Sequence, residues 1–250
     1  MLPLAPDEHL EPLGPSMQIV VSPAHIFSTD SLLLAYFSNI HKYDTACDLG
    51  TGSGIIPLLW CKKETGAITA VDIQEKAVMQ LQKSLAINRL EDRVTVVHTD
   101  LRQKHPLLPR GTFDLVTMNP PYQQIGAGHA SAAPSDRLAR QETACTLADA
   151  AEAAAHLLRF GGRFCLCHKP ERLTDIICVL REQKLEAKRI RFVAQKEGLA
   201  PWLVLVEGKR GAKSGVRMEK TLVLQNADGS DSAEMQLVFG DYRTFCETEG

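Results

Sequence analysis

The sequence lacks the features that would carry a protein into or across a membrane. Its first 41 residues contain no lysine or arginine, which argues against a secretory signal and against a mitochondrial transit peptide. No apolar run approaches the roughly 18 residues of a membrane span, and the longest candidate, 199–206, is interrupted by Pro201. We therefore expect a cytoplasmic protein without a membrane segment.

Paired cysteine ligands and an excess of positive charge are also missing. The seven cysteines include no C-x-x-C pair, and most lie in apolar runs, a pattern typical of reduced, buried thiols. Cys165, Cys167 and His168 lack a second ligand pair, so we expect no metal site. The net charge of −2 provides no overall attraction to nucleic acid, so an RNA-binding surface has to be local.

The sequence does contain an alternation of short apolar runs and helical patterns. Its 250 residues are 44% hydrophobic, enough for a sizeable core. The predicted strands are 45–48, 67–71, 94–97, 113–118 and 163–167. The predicted helices are 55–62, 75–88, 138–158 and 171–183. This order predicts an α/β fold with a mainly parallel sheet and helices on both faces.

The ends of the chain differ from this alternating region. Four prolines within residues 1–18 predict an extended lead-in with little structure of its own. Residues 19–225 are expected to form a single domain, followed by an acidic, turn-rich tail at 226–250. Three further apolar runs are expected to extend one edge of the sheet as antiparallel strands, namely 187–193, 202–207 and 221–224.

A glycine-rich loop, D-L-G-T-G-S-G at 48–54, follows the first predicted strand of the alternating region and opens a helix. Its glycines fall at every second position, unlike the G-x-G-x-x-G of dinucleotide-binding loops, and no G-x-x-x-x-G-K-[ST] motif is present. The carboxylate of Asp48 would repel a pyrophosphate and suits a cationic or amine-bearing ligand. The loop resembles the cofactor loop of Rossmann-like, class I S-adenosylmethionine (SAM) dependent methyltransferases.

This resemblance implies a seven-stranded sheet, SAM as the cofactor and a set of cofactor-binding residues. An acid after the second strand, Asp72, would accept the ribose hydroxyls, and Asp100 after the third strand would face the adenine amino group. Each acid alone is also a common helix cap or turn residue. The predicted cofactor-binding residues of the glycine loop and the two strand ends are Asp48, Gly50, Thr51, Gly52, Gly54, Asp72, Ile73, Asp100 and Leu101.

The fourth strand runs into N-P-P-Y at 119–122. The NH2 group of a substrate can donate two hydrogen bonds. The Asn119 side-chain oxygen and the Pro120 carbonyl can accept them, and this orients the nitrogen lone pair. Pro121 stiffens the turn, and Tyr122 offers a flat face to a planar substrate. The predicted catalytic residues are therefore Asn119, Pro120, Pro121 and Tyr122, with Asn119 also beside the cofactor. The motif resembles that of methyltransferases acting on adenine, guanine or glutamine amide NH2 groups.

Longer segments narrow the resemblance. Three segments are similar to segments of the bacterial tRNA1(Val) adenine-N6 methyltransferase family, namely F-S-T-D-S-L-L-L-A at 27–35, A-R-Q-E at 139–142 and L-V-L-V-E-G-K-R-G at 203–211. The resemblance implies that Phe27 and Asp30 approach SAM and that the substrate is adenosine 37 of that tRNA.

Local charge also favours RNA as the partner. Residues 188–220 contain nine basic and three acidic residues. Within them, the basic and glycine-containing segment 209–217 is expected to be a loop and predicts a phosphate-binding surface. The predicted RNA-binding residues are Arg140, Lys169, Lys188, Arg189, Arg191, Lys209, Arg210, Lys213 and Arg217.

Four other functions remain as alternatives. Glutamine-amide methyltransferases of release factors carry a helical substrate domain before the cofactor loop, and guanine-N2 methyltransferases of ribosomal RNA usually duplicate the fold or add a domain. DNA adenine methyltransferases generally need a target-recognition domain. A SAM-stabilised RNA-binding module would not require the N-P-P-Y geometry. The sequence does not fix the oligomeric state.

Overall fold

The computed structural model describes residues 3–63, 65–120, 145–240 and 242. A central sheet confirms the α/β class, and its seven longer strands follow the spatial order β5-β4-β3-β6-β7-β9-β8. These strands are β3 (Ala46–Leu49), β4 (Ile68–Asp72), β5 (Val94–His98), β6 (Phe113–Met118), β7 (Leu158–His168), β8 (Leu185–Ala194) and β9 (Leu203–Arg210). Two short strands, β10 (Arg217–Met218) and β11 (Leu222–Val223), pair with β8 at the outer edge.

Only β9 among the seven longer strands is antiparallel to its neighbours. It lies between β7 and β8, so β8 points in the same direction as the central strands. The short strand β11 is also parallel to β8, so the antiparallel prediction for 221–224 was wrong. After β8, the chain runs back along β9 in the opposite direction. It then turns again, and β10 and β11 run parallel to β8 on its outer side.

Helices cover both faces because successive strand residues point to opposite sides of the sheet. Ala46, Ile68 and Leu115 pack with helices α1 (Thr29–Ser38), α2 (Ile55–Cys61) and α3 (Glu75–Asn88). The opposite face packs against α4 (Leu147–Leu157) and α5 (Leu173–Glu182). In the described part of the chain, no helix is long and apolar enough to cross a membrane.

The N-terminal segment is more ordered than the prolines suggested. Strands β1 (His9–Pro12) and β2 (Gln18–Val21) form an antiparallel pair, so this extended segment has more structure of its own than expected. The pair docks on α3, where the Val20 amide donates to Ser84 Oγ (2.9 Å) and Gln80 Nε2 donates to the Val20 carbonyl (2.7 Å). Burial of Ile19, Val20 and Val21 stabilises this contact.

The acidic tail also contributes to the core. Helix α6 (Ala233–Phe239) buries Met235 and Val238 against the α1 face of the sheet. Its first turn provides Glu234, whose carboxylate accepts a hydrogen bond from Arg191 Nη2 on β8 (2.6 Å). The segment after residue 225 therefore completes the packing around α1.

The parallel strands all begin along one side of the sheet and all end along the opposite side. We call the edge where β3, β4, β6 and β7 end the carboxyl edge, and the edge where they begin the amino edge. Helix α1 crosses over β6 and β7 on one face, so its first turn lies close to residues that follow β6. The carboxyl edge thus collects the glycine loop, the start of α1 and Asn119.

Candidate active site

The glycine loop leaves β3 through three left-handed backbone positions. Gly50, Gly52 and Gly54 have φ angles of 63°, 55° and 83°, a region that other residues rarely adopt. A methyl group on Gly54 would overlap the side chain of Leu81 on α3. At Gly52 the same position faces open space, so the backbone there is accessible to a ligand.

Asp48 lies at the base of this loop with only 2% of its surface exposed. Its Oδ1 accepts a hydrogen bond from Thr117 Oγ1 on the neighbouring strand β6 (2.6 Å). Burial raises the pKa of Asp48 to about 7, although the hydrogen bond from Thr117 opposes the shift. A buried carboxylate held by hydroxyl groups suits a ligand that brings positive charge.

Asp72, at the end of β4, is bound to the backbone of the loop. Its two carboxylate oxygens accept hydrogen bonds from the Gly52 amide (2.8 Å) and the Gln74 amide (2.9 Å). The side chain is buried, and it fixes the loop conformation that exposes Gly52. Its predicted contact with a ribose stays a prediction, since a carboxylate retains further acceptor sites.

The Asn119 side chain is held from both sides. Its Nδ2 donates to Ser31 Oγ in the first turn of α1 (3.1 Å), and its Oδ1 accepts a hydrogen bond from the Cys167 thiol near the end of β7 (3.1 Å). Pro120 is buried beside it, whereas Pro121 and Tyr122 lie outside the described residues. Asn119 is therefore fixed at the point where α1, β6 and β7 meet.

An open cleft of about 150 Å³ joins these elements. Its walls come from the α1 region, the glycine loop and the end of β6, and they include the predicted residues Phe27, Asp48, Gly50, Thr51, Gly52 and Asn119. The ring of Phe27 meets that of Tyr242 from the C-terminal segment edge to face, with centroids 5.7 Å apart. Three segments that carry predicted site residues thus meet in one cleft, whereas the ends of β4 and β5 are not among its walls.

The other predicted cofactor residues lie outside these walls. Gly54 packs against Leu81, and Asp30 lies in the first turn of α1. The Asp100 carboxylate forms an ion pair with Arg102 Nη2 (2.5 Å), which lowers the pKa of Asp100. Ile73 is 37% exposed, and Leu101 lines a separate cavity of about 190 Å³ on the α4 face. Their contacts with a cofactor stay predictions.

Two arginines predicted to bind RNA are engaged in the fold. Arg189 donates to Glu207 (2.8 Å) and Glu219 (3.0 Å), and its guanidinium lies 4.3 Å from the ring centre of Phe37. Arg191 donates to Glu234 on α6. Both side chains are largely buried, so neither presents a free charge to a phosphate.

The remaining basic residues divide between the two edges. Lys209 and Arg210 pair with Arg163 and Leu185 near the starts of β7 and β8, so they lie at the amino edge. Lys188 Nζ donates to the Lys213 carbonyl, and Arg217 pairs with Arg189, which lies level with Cys165 and Thr117 towards the carboxyl ends of their strands. Lys169 follows β7 at the carboxyl edge and is exposed. Arg140 lies outside the described residues.

Three described residues whose side chains form hydrogen bonds with Asp48 or Asn119 were not predicted as site residues: Ser31, Thr117 and Cys167. Ser31 lies within the segment 27–35 that resembles the methyltransferase family. That resemblance predicted roles for Phe27 and Asp30 but none for Ser31. Thr117 faces Asp48 because the two residues pair across β3 and β6. Cys167 points to the α1 face by strand alternation, and only the three-dimensional fold brings it to Asn119.

The family model described as methyltransferase small domain matches residues 17–170. Among curated proteins, the chain is 28% identical over 179 residues to a tRNA1(Val) (adenine(37)-N6)-methyltransferase of Parabacteroides distasonis, covering 72% of this chain and 74% of that protein. A protein of the same name from Aeromonas hydrophila is 28% identical over 206 residues, covering 82% of this chain and 84% of its own length.

Solved structures show the same fold. A predicted O-methyltransferase from Agrobacterium tumefaciens superposes with a TM-score of 0.68 at 17% identity, over 86% of this chain and 97% of that chain. A geranyl diphosphate C-methyltransferase from Streptomyces coelicolor, solved with S-adenosyl-L-homocysteine, gives a TM-score of 0.53 at 12% identity. That match covers 72% of this chain and 79% of the other.

Proposed function

Because the chain belongs to the methyltransferase small domain family, we propose that it methylates the exocyclic N6 amine of adenosine in tRNA, using SAM. The proposed target is adenosine 37 of tRNA1(Val), beside the anticodon. The observation that carries the proposal is the position of Asn119 on the wall of the cleft formed by the glycine loop. The names of the curated relatives support the choice of tRNA as the substrate.

The residues around the cleft fit SAM. The Gly52 backbone is open to a ligand, and the buried carboxylate of Asp48 complements a cationic amine. Phe27 covers the cleft from the α1 side. When bound, SAM supplies an electrophilic methyl group on a sulfonium sulfur. The chain's own contribution is to bind this cofactor in a fixed position and to bring an amine to the same place.

Asn119 would orient the amine of the target base. Its Oδ1 accepts a hydrogen bond from the Cys167 thiol, and an amide oxygen has two lone pairs, so it would accept an N–H of the base as well. The Pro120 carbonyl would accept the second N–H, which directs the nitrogen lone pair at the methyl group. No base has to remove a proton before the attack, since the nitrogen loses its proton after it becomes cationic. Tyr122 would stack on the adenine ring.

The RNA would approach the carboxyl edge, because Asn119 lies there. Adenosine 37 would have to turn outward from the anticodon loop to reach the cleft. Lys169, exposed at the carboxyl edge, would contact a phosphate near the target base, whereas Lys209, Arg210 and Lys213 would contact RNA further away. The proposed location of this reaction is the cytoplasm.

Nucleoside analysis of modified RNA tests the function directly. Purified protein is incubated with labelled SAM and unmodified total RNA, the RNA is separated by size, and the nucleosides are identified by mass spectrometry. We expect N6-methyladenosine in the tRNA fraction, and mapping on a tRNA1(Val) transcript should place it at position 37. Label on a release factor with none on RNA would overturn the proposed substrate.

A further inference from the structure

The thiol of Cys167 has no role in the reaction as derived from the sequence. The residue is completely buried, lies next to the last residue of β7, and places its Sγ 3.1 Å from Asn119 Oδ1. Its neighbour on the same face of the strand, Cys165, is equally buried but directs its thiol to Glu207, 3.9 Å away. The two cysteines thus share their surroundings but not their partner.

An asparagine needs hydrogen bonds to hold its amide in one orientation. The torsion that rotates the amide has broad minima, so packing alone leaves the plane of the group poorly defined. Ser31 receives the Nδ2 proton from one side, and Cys167 donates to Oδ1 from the other. Rotating the amide by a half-turn would exchange its nitrogen and oxygen, and it would place N–H groups where the reaction needs an acceptor.

We propose that Cys167 is a positioning residue for methyl transfer, whose thiol proton holds the Asn119 oxygen in place to accept the target amine. This inference rests on the proposed function, since it requires that Asn119 binds an NH2 group. Cys167 itself touches neither the base nor the cofactor. It acts by fixing the orientation of the amide, so that the oxygen and not the nitrogen faces the target amine.

The effect of losing the thiol should be moderate. A thiol is a weak donor, and Ser31 still holds the other end of the amide. A misplacement of about 1 Å can cost about 10²-fold in rate, and a partial loss of orientation should cost less. We expect roughly a tenfold decrease in kcat, with little change in the affinity for SAM.

The test compares Cys167→Ala, Cys167→Ser and the matched control Cys165→Ala. Each variant is assayed for methyl transfer to a tRNA1(Val) transcript, for SAM affinity by calorimetry and for melting temperature. Both alanine variants remove one buried sulfur from the same face of β7, so both should lower the melting temperature by similar amounts. Only Cys167→Ala should lower kcat about tenfold, and Cys167→Ser should restore most of it because a hydroxyl also donates.

Two outcomes would overturn the inference. If Cys167→Ala keeps the same kcat as Cys165→Ala, the thiol does not position the amide. If Cys167→Ser is as impaired as Cys167→Ala while both bind SAM normally, the volume of the side chain matters and not its proton. If Cys167→Ala fails to fold, the kcat of Cys167→Ser is compared with that of Cys165→Ala instead. Wild-type protein that methylates no tRNA would instead overturn the proposed function, and this inference with it.

Discussion

The carboxyl and amino edges of the sheet use charged groups in opposite ways. At the carboxyl edge, Asp48 and Asp72 are buried, and each is held by groups on a neighbouring strand or loop. At the amino edge, Lys209 and Lys213 are exposed, and the ring of Phe160 nearby is 77% exposed. Buried charges can select a small ligand by its shape and sign, whereas exposed charges attract a polyanion over a broad surface. The two edges are thus suited to different partners of one reaction.

The largest effect is expected at the carboxyl edge, from Asn119→Ala. Loss of the acceptor should lower kcat by about 10²-fold or more, because the amine is no longer oriented. The fold and the SAM affinity should change little, since the glycine loop and Asp48 remain. Single-turnover methylation of a tRNA1(Val) transcript measures the effect, and Asn119→Ser, which keeps an oxygen, should fall in between. Near-normal turnover by the alanine variant would refute the orienting role.

Next in size is the effect of Arg189→Ala on stability. The substitution leaves the buried carboxylate of Glu207 with Arg163, at 3.5 Å, as its remaining ion-pair partner among the described residues, and breaking a buried pair typically costs about 3–5 kcal/mol. Chemical unfolding should therefore show a large loss in the free energy of unfolding. The matched change Lys209→Ala, at an exposed position, should stay within about 0.5 kcal/mol. Full stability with weakened RNA binding in Arg189→Ala would make this arginine an RNA contact after all.

The pH dependence of SAM binding should report on Asp48. Burial raises its pKa from 3.8 to about 7, so the folded protein holds a proton that the unfolded chain has lost. The stability of the free protein should therefore fall as the pH rises through this window, toward about 7. SAM affinity should rise over the same window, by at most about tenfold per pH unit, because the ionised form attracts the cationic ligand.

Calorimetry between pH 5.5 and 8 measures this change in affinity. Asp48→Asn should bind SAM weakly and with a flat pH profile. A wild-type profile that is equally flat would show that Asp48 does not change its ionisation when SAM binds.

The smallest effect is expected from the exposed lysines. The double change Lys209→Gln and Lys213→Gln should reduce the slope of log affinity against log salt by about 0.7–0.9 for each phosphate that the variant no longer neutralises. The kcat at saturating RNA should stay unchanged, because the amino edge is roughly 13 Å along the strands from the level of Asn119. Lys169→Gln is the matched change at the carboxyl edge. An unchanged salt slope in the double variant, with a reduced slope in Lys169→Gln, would confine the RNA to the carboxyl edge.

The carboxyl edge could be predicted from the sequence because its signals are local. The glycine loop is a contiguous motif, and the ends of parallel strands necessarily meet at one edge, which brought Asp48 and Asn119 together. The partners of Asn119 could not be predicted in this way. Its contacts with Ser31 and Cys167 join three distant segments and depend on how α1 packs over the sheet.

The errors have physical causes of the same kind. For the predicted RNA contacts, which stay predictions, a count of basic residues between 188 and 220 cannot show that Arg189 pairs with Glu207 and Glu219. The prolines before residue 18 hid a strand, because Pro12 ends β1 and tolerates the edge position. The parallel direction of β11 also depends on how the chain re-enters the sheet, which apolar pattern alone does not fix.

The packing of α6 on α1 has a consequence for the order in which the protein is made. The wall of the cleft at Phe27 is synthesised early, whereas α6 and Tyr242, whose ring contacts that of Phe27, emerge from the ribosome much later. At roughly 5–20 residues per second, this delay lasts on the order of ten seconds or more. During that time the surface of α1 that later packs against α6 is uncovered. The cleft is therefore completed only after α6 and Tyr242 have been synthesised, and a nascent chain gains its full affinity for SAM only then.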